Sequence, residues 1–83
     1  MITLSCAIID DEPLALDLLE SYIKKTPMLH LIGRYSNGLQ AMYDLESTPV
    51  DLIFLDIQMP EISGIELARR FGENVKIIFT TAF

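Results

Sequence analysis

Short unbroken apolar runs alternate along the chain with stretches in which apolar residues recur every three or four positions. The first run, Leu4 to Ile9, ends in Ile8-Ile9 and predicts a strand buried on both faces. Pro13 then falls where a first helical turn tolerates a missing N–H, behind acidic residues whose charge complements a helix N-terminus. Leu14, Ala15, Leu18, Leu19, Tyr22 and Ile23 form a two-column stripe at helical spacing. Lys24 and Lys25 suit its last turn, and Pro27 stops it. Leu29 to Tyr35 predicts a second strand, followed by a turn at Ser36-Asn37-Gly38. Leu39, Met42, Tyr43 and Leu45 predict a short second helix with its Met and Tyr residues in the core, closed by Ser47-Thr48-Pro49. Val50 to Leu55 is the third strand, and its core, Leu52-Ile53-Phe54-Leu55, has no polar break, as in a central parallel strand. A loop from Ile57 to Gly64 precedes a third helix marked by Ile65, Ala68 and Phe71, whose period is the least regular of the three. Val75 to Thr81 predicts a fourth strand.

Strands and helices alternating through short connections predict a parallel sheet with helices on both faces. In such sheets ligands bind beyond the carboxyl ends of the strands, where strand order reverses. The 83 residues suffice for one small domain, and 51% hydrophobic content excludes a disordered chain. Net charge is −6, with 12 acidic against 6 basic residues, so direct nucleic-acid binding by this segment is not expected. A cation or a basic protein partner suits that charge better. The single cysteine, Cys6, rules out an internal disulfide, fits a reducing cytoplasmic location and reads as a small buried hydrophobe. Leu4-Ser5-Cys6-Ala7 lacks the basic segment that precedes an export signal. No stretch approaches the ~20 apolar residues that cross a bilayer, so no membrane association is expected.

Attention therefore falls on the residues that follow the strands. Asp10 and Asp11 follow the first, Asp56 follows the third, and Thr80-Thr81 close the fourth. In a parallel sheet these side chains converge on one edge, where three carboxylates repel one another unless a hard divalent cation such as Mg²⁺ intervenes. Asp56, in the middle, is then the candidate nucleophile toward a phosphoryl group, with the Thr81 hydroxyl within reach of a phosphoryl oxygen. Taken singly, each residue has a plainer role: Asp10-Asp11 as a helix N-cap, Asp56 as a turn former, a threonine ending a strand. Their agreement in position carries the functional reading. His30 has no second ligand nearby in the sequence, and Arg69-Arg70 reads as a solvated helix face.

Ile8-Ile9-Asp10-Asp11-Glu12-Pro13, then Leu55-Asp56-Ile57-Gln58-Met59-Pro60, then Gly64 and Thr80-Thr81-Ala82, resemble the receiver domain of two-component response regulators. The resemblance covers essentially the whole chain. It implies a flavodoxin-like doubly wound α/β fold with strand order 2-1-3-4. It also implies Asp56 as phosphoacceptor for a sensor histidine kinase, and Mg²⁺ bound by Asp10, Asp11, Asp56 and the backbone carbonyl of Gln58. Thr81 would contact the phosphoryl group. Met59-Pro60 and Gly64 would shape the loop, Pro fixing φ and Gly permitting unusual backbone. The wording Asp-Asp-Glu-Pro-Leu-Ala and Thr-Thr-Ala-Phe is similar to receivers attached to LytTR-type DNA-binding domains, so the parent protein would regulate transcription.

Family members are phosphoacceptors that catalyse their own phosphotransfer rather than free-standing enzymes. A complete receiver carries a fifth strand, further helices and a lysine after that strand, which lie beyond the fourth strand where this sequence stops. The expectation is thus the N-terminal part of a single receiver domain, with the fourth strand exposed for self-association or domain swapping. Two alternatives differ in class. One is a pseudo-receiver that binds partners without phosphotransfer. The other is an Asp-nucleophile phosphohydrolase, which would need an Asp-x-Asp motif where this sequence has adjacent Asp10-Asp11. No Gly-rich phosphate loop points to an NTPase.

Overall fold

The computed structural model describes residues 2–80. The chain runs β1 (Leu4–Ile9), α1 (Pro13–Lys24), β2 (Leu29–Tyr35), α2 (Gly38–Leu45), β3 (Leu52–Asp56), α3 (Gly64–Phe71) and β4 (Lys76–Thr80). Pro13 opens α1 as the sequence predicts, and Glu12, its N-cap residue, makes no side-chain cap bond. Stronger caps begin the other two helices. Asn37 Oδ1 accepts from the Leu39 and Gln40 amides at 2.8 and 3.0 Å, and Ser63 Oγ accepts from the Glu66 amide at 3.1 Å. Each satisfies donors that a helix start leaves free. Asn37-Gly38, read from the sequence as part of a turn, is thus also the start of α2.

All four strands are parallel in the order β2-β1-β3-β4, the flavodoxin-like arrangement predicted. From β1 the chain first builds outward to β2, then returns past β1 to lay down β3 and β4. Strand order therefore reverses between β1 and β3. Helix α1 packs its Leu16 and Ile23 with Cys6 and Ile8 on one face of the sheet. On the other face Ala41 and Leu45 of α2 and Leu67 of α3 pack with Ala7, Ile9, Ile53 and Leu55. Central β1 is buried from both sides, and its last four residues, Cys6 to Ile9, have no solvent exposure. Cys6 is a buried free thiol, and burial raises its pKa.

The sheet-facing sides of the helices differ from the periodicity reading. In α1 the column Leu14, Leu18, Tyr22 is at least half exposed, while Leu16, outside the predicted stripe, is buried. A leucine-rich helix carries two overlapping apolar columns, and only the register with the sheet decides which turns inward. Tyr43 of α2 is also exposed, while Met42 packs against the core as expected; the small residues Gly38 and Ala41 are buried together with Leu45. A Cβ on Gly38 would come within 3.0 Å of Ile62 and 3.1 Å of Leu67. In α3 the buried positions are Gly64 and Leu67, with Ala68 and Phe71 packed beside them, a regular i, i+3, i+4, i+7 face. Assigning Gly64 to the loop concealed that regularity.

Candidate metal and phosphoacceptor site

The register places one row of side chains at the carboxyl edge of the sheet. Ile8 pairs with Phe54, and Phe54 with Ile78, so these three lie side by side across β1, β3 and β4. Two residues on, side chains return to the same face. Asp56 pairs with Thr80 there, and Asp10, the residue after β1, continues the row. Asp11 begins the connection to α1. Carboxylate oxygens of Asp10, Asp11 and Asp56 all lie within 4.8 Å of one another, the one such acidic or metal-ligating group among the described residues. The three residues named from the sequence are thus brought together at the point where strand order reverses.

Asp10 is 4% exposed and Asp56 8%, while Asp11 is open to solvent. Backbone amides hold both buried carboxylates: Glu12 N donates to Asp10 Oδ1 at 2.9 Å, and Gln58 N donates to Asp56 Oδ1 at 3.2 Å. Burial still pushes both carboxyls above the usual range, because it disfavours charge more than those bonds support it. Like charges nearby push the same way, Asp11 on both groups and Asp10 on Asp56. Three hard oxygen donors under mutual repulsion match what Mg²⁺ requires. Gln58, exposed two residues beyond Asp56, is near enough in sequence to contribute its carbonyl.

Gly64 fixes the loop beneath the acceptor. Its amide donates to the Ile57 carbonyl at 2.7 Å. A Cβ on Gly64 would overlap the Asp56 carbonyl oxygen and stand 2.7 Å from Ile57 Cα. Its φ is not positive; Gly72 is the one glycine with that conformation among the described residues. The glycine is therefore required by close backbone approach rather than by the unusual backbone expected of it.

Thr81 lies outside the described residues. Its neighbour Thr80, placed at the same edge by the sequence but given no separate role, has a buried hydroxyl with no hydrogen-bond partner among the described residues. His30 is exposed on β2 and outside the acidic group, and Arg69 and Arg70 are exposed as predicted. A groove of about 910 Å³ opens at the opposite end of the sheet between Met42, Leu45, Phe71 and Val75, away from the convergent carboxylates. A small cleft of about 80 Å³ lies beside Asp11, Asn37, Met59 and Pro60. No described helix is long and apolar enough to cross a membrane.

Residues 6–83 match the family model for the response regulator receiver domain. A response regulatory protein of Shewanella oneidensis, itself uncharacterised, is 38% identical over 82 residues, covering 96% of this chain and 35% of its own length. The transcriptional regulatory protein BtsR of Escherichia coli is 36% identical over 78 residues, covering 92% of this chain and 33% of its own. The chain thus spans about a third of the length of these curated relatives. The crystal structure of the response regulatory domain of mrkE from Klebsiella pneumoniae superposes with a TM-score of 0.85 at 33% identity, covering 95% of this chain and 67% of that one.

Proposed function

The chain belongs to the response regulator receiver family, and from that premise we propose that Asp56 accepts a phosphoryl group from a sensor histidine kinase with Mg²⁺ held by the acidic cluster. The convergence of Asp10, Asp11 and Asp56 within 4.8 Å carries this reading. Asp10, Asp11, one Asp56 oxygen and the Gln58 carbonyl are the proposed ligands. Bound there, Mg²⁺ supplies positive charge that offsets both the carboxylates and the incoming phosphoryl oxygens.

The remaining steps belong to the chain's own groups. The Gln58 amide fixes Asp56 Oδ1, which leaves Oδ2 to attack phosphorus. An O–P bond forms to Asp56 as the P–N bond to the kinase histidine breaks. The imidazole leaves neutral, its proton already on the other ring nitrogen. Gly64 keeps the following loop against the Asp56 backbone, so the acceptor does not drift when its charge changes. The Thr81 hydroxyl is the proposed contact to a phosphoryl oxygen.

Self-catalysed transfer to a protein side chain, rather than turnover of a free substrate, is the activity this assigns. Relatives named as transcriptional regulators support a role in transcription control. The wording around Asp10 to Ala15 supports a LytTR-type output domain, and a cytoplasmic location follows from a kinase partner of this kind. Incubation with acetyl phosphate and Mg²⁺ tests the acceptor: intact mass should rise by one phosphoryl group. Asp56→Asn or chelation of Mg²⁺ should abolish the rise. Equal labelling of wild type and variant would remove Asp56 from the mechanism.

A further inference from the structure

We infer that Gly38, at the start of α2, is a positioning residue for the metal site: it leaves the space that seats Met59 and so aims the Gln58 carbonyl. The inference deepens the proposed Mg²⁺ site and rests on it. Gly38 is buried in the first turn of α2. Its φ is not positive, so the backbone itself does not call for glycine there. Glycine loses more conformational freedom on folding than alanine does, which leaves room as the reason for it. A Cβ on Gly38 would stand 3.0 Å from Ile62 Cγ2, 3.1 Å from Leu67 Cδ2 and 3.3 Å from Met59 Cε. Met59 and Ile62 both belong to the loop that leaves Asp56, and both pack against the core on this face of the sheet.

The Gln58 carbonyl lies in the peptide unit that joins Gln58 to Met59. That unit is planar and nearly rigid, so the position of the Met59 Cα decides where the oxygen points. Two backbone hydrogen bonds already hold this loop: the Gln58 amide donates to Asp56 Oδ1, and the Gly64 amide donates to the Ile57 carbonyl. Both hold the peptide unit before Gln58, not the one after it. Toward Asp11 the loop borders a cleft of about 80 Å³, so support for Met59 comes from α2. The seat is firm. Asn37 caps α2 through two amides, and the Asp10 amide donates to the Tyr35 carbonyl at 3.0 Å, tying the end of β2 to the acidic row. Mg²⁺ demands near-octahedral geometry with ligands about 2.0–2.1 Å away, so a small shift of one oxygen is felt in affinity.

The test measures Mg²⁺ affinity of the full chain by amide chemical shifts in an NMR titration. Gly38→Ala fills the seat and Met59→Ala empties it. Each should weaken Mg²⁺ binding about tenfold, the lower end of what groups supporting a metal ligand contribute. Met59→Leu, which keeps the bulk, should stay within about threefold of wild type on that scale. Ile23→Val, a mild truncation in the core on the other face of the sheet, should lower the melting temperature yet leave Mg²⁺ affinity within about twofold. Unchanged affinity in either Gly38→Ala or Met59→Ala, or an equal loss in Ile23→Val, overturns the inference while leaving Mg²⁺ binding and labelling of Asp56 in wild type intact. Failure of wild type to bind Mg²⁺ would overturn both readings.

Discussion

A carboxylate buried among like charges is drawn toward its protonated form, and Asp10 and Asp56 both carry that condition. Their pKa values are raised in the folded chain, so the native state holds these protons more tightly than the unfolded state does. The resulting stability is fully present below the ordinary Asp value of about 3.9 and is lost as pH rises through the raised values. Metal-free protein should therefore be less stable at pH 7 than these two groups allow at pH 4. Asp56→Asn should be more stable than wild type at pH 7, and the gain should vanish near pH 4; urea unfolding at the two pH values checks this. Saturating Mg²⁺ should reverse the ranking, since a ligand at a hundredfold excess over its Kd adds about 2.7 kcal/mol to the state that binds it. Gly64→Ala should cost about 1–3 kcal/mol or more in the same assay, because the added methyl meets backbone of Asp56 and Ile57 rather than a movable side chain. At this scale the acidic trio was legible in the sequence, because chemistry-bearing residues stand directly after strands. The reason for Gly64 was not, since a steric approach between residues eight apart leaves no local signal. Thr80 was placed at the edge but given no separate role, since one hydroxyl ending a strand looks ordinary until its register partner is known.

Elements were easier to locate than to orient. Every predicted strand and helix is present, because apolar runs and Pro13, Pro27 and Pro49 mark their bounds. Facing was harder, because Leu14, Leu18 and Tyr22 are as apolar as the residues that α1 does bury. Substitutions separate the two columns. Leu16→Ala should cost about 2–5 kcal/mol, as for other buried leucines, whereas Leu18→Gln should stay within about 0.5 kcal/mol as a surface change. Comparable losses at both sites would mean that α1 turns its other column inward in solution. Asn37→Ala, which removes two cap bonds from α2, should cost about 1 kcal/mol.

Across the whole molecule, the parallel topology was readable from alternation alone, because parallel neighbours need crossovers and helices are the usual ones. The resulting sheet has β4 at one edge among the described residues, with Ile78 and Phe79 more than two-fifths exposed. An apolar edge strand is a template for pairing, the ground for the self-association expected from the sequence. Sedimentation over a dilution series should show dimers that dissociate, and a compact monomer at every concentration would contradict it. The account as a whole stands on a parallel sheet gathering three separate carboxylates into one cation site around Asp56. Mn²⁺, a paramagnetic stand-in for Mg²⁺, reads that gathering directly in the backbone amide spectrum. Low Mn²⁺ should broaden the signals of residues 10–12 and 56–58 first and together, and excess Mg²⁺ should restore them. Broadening that begins instead at exposed acids such as Glu46 and Glu73, or that spares Asp56, would contradict the account.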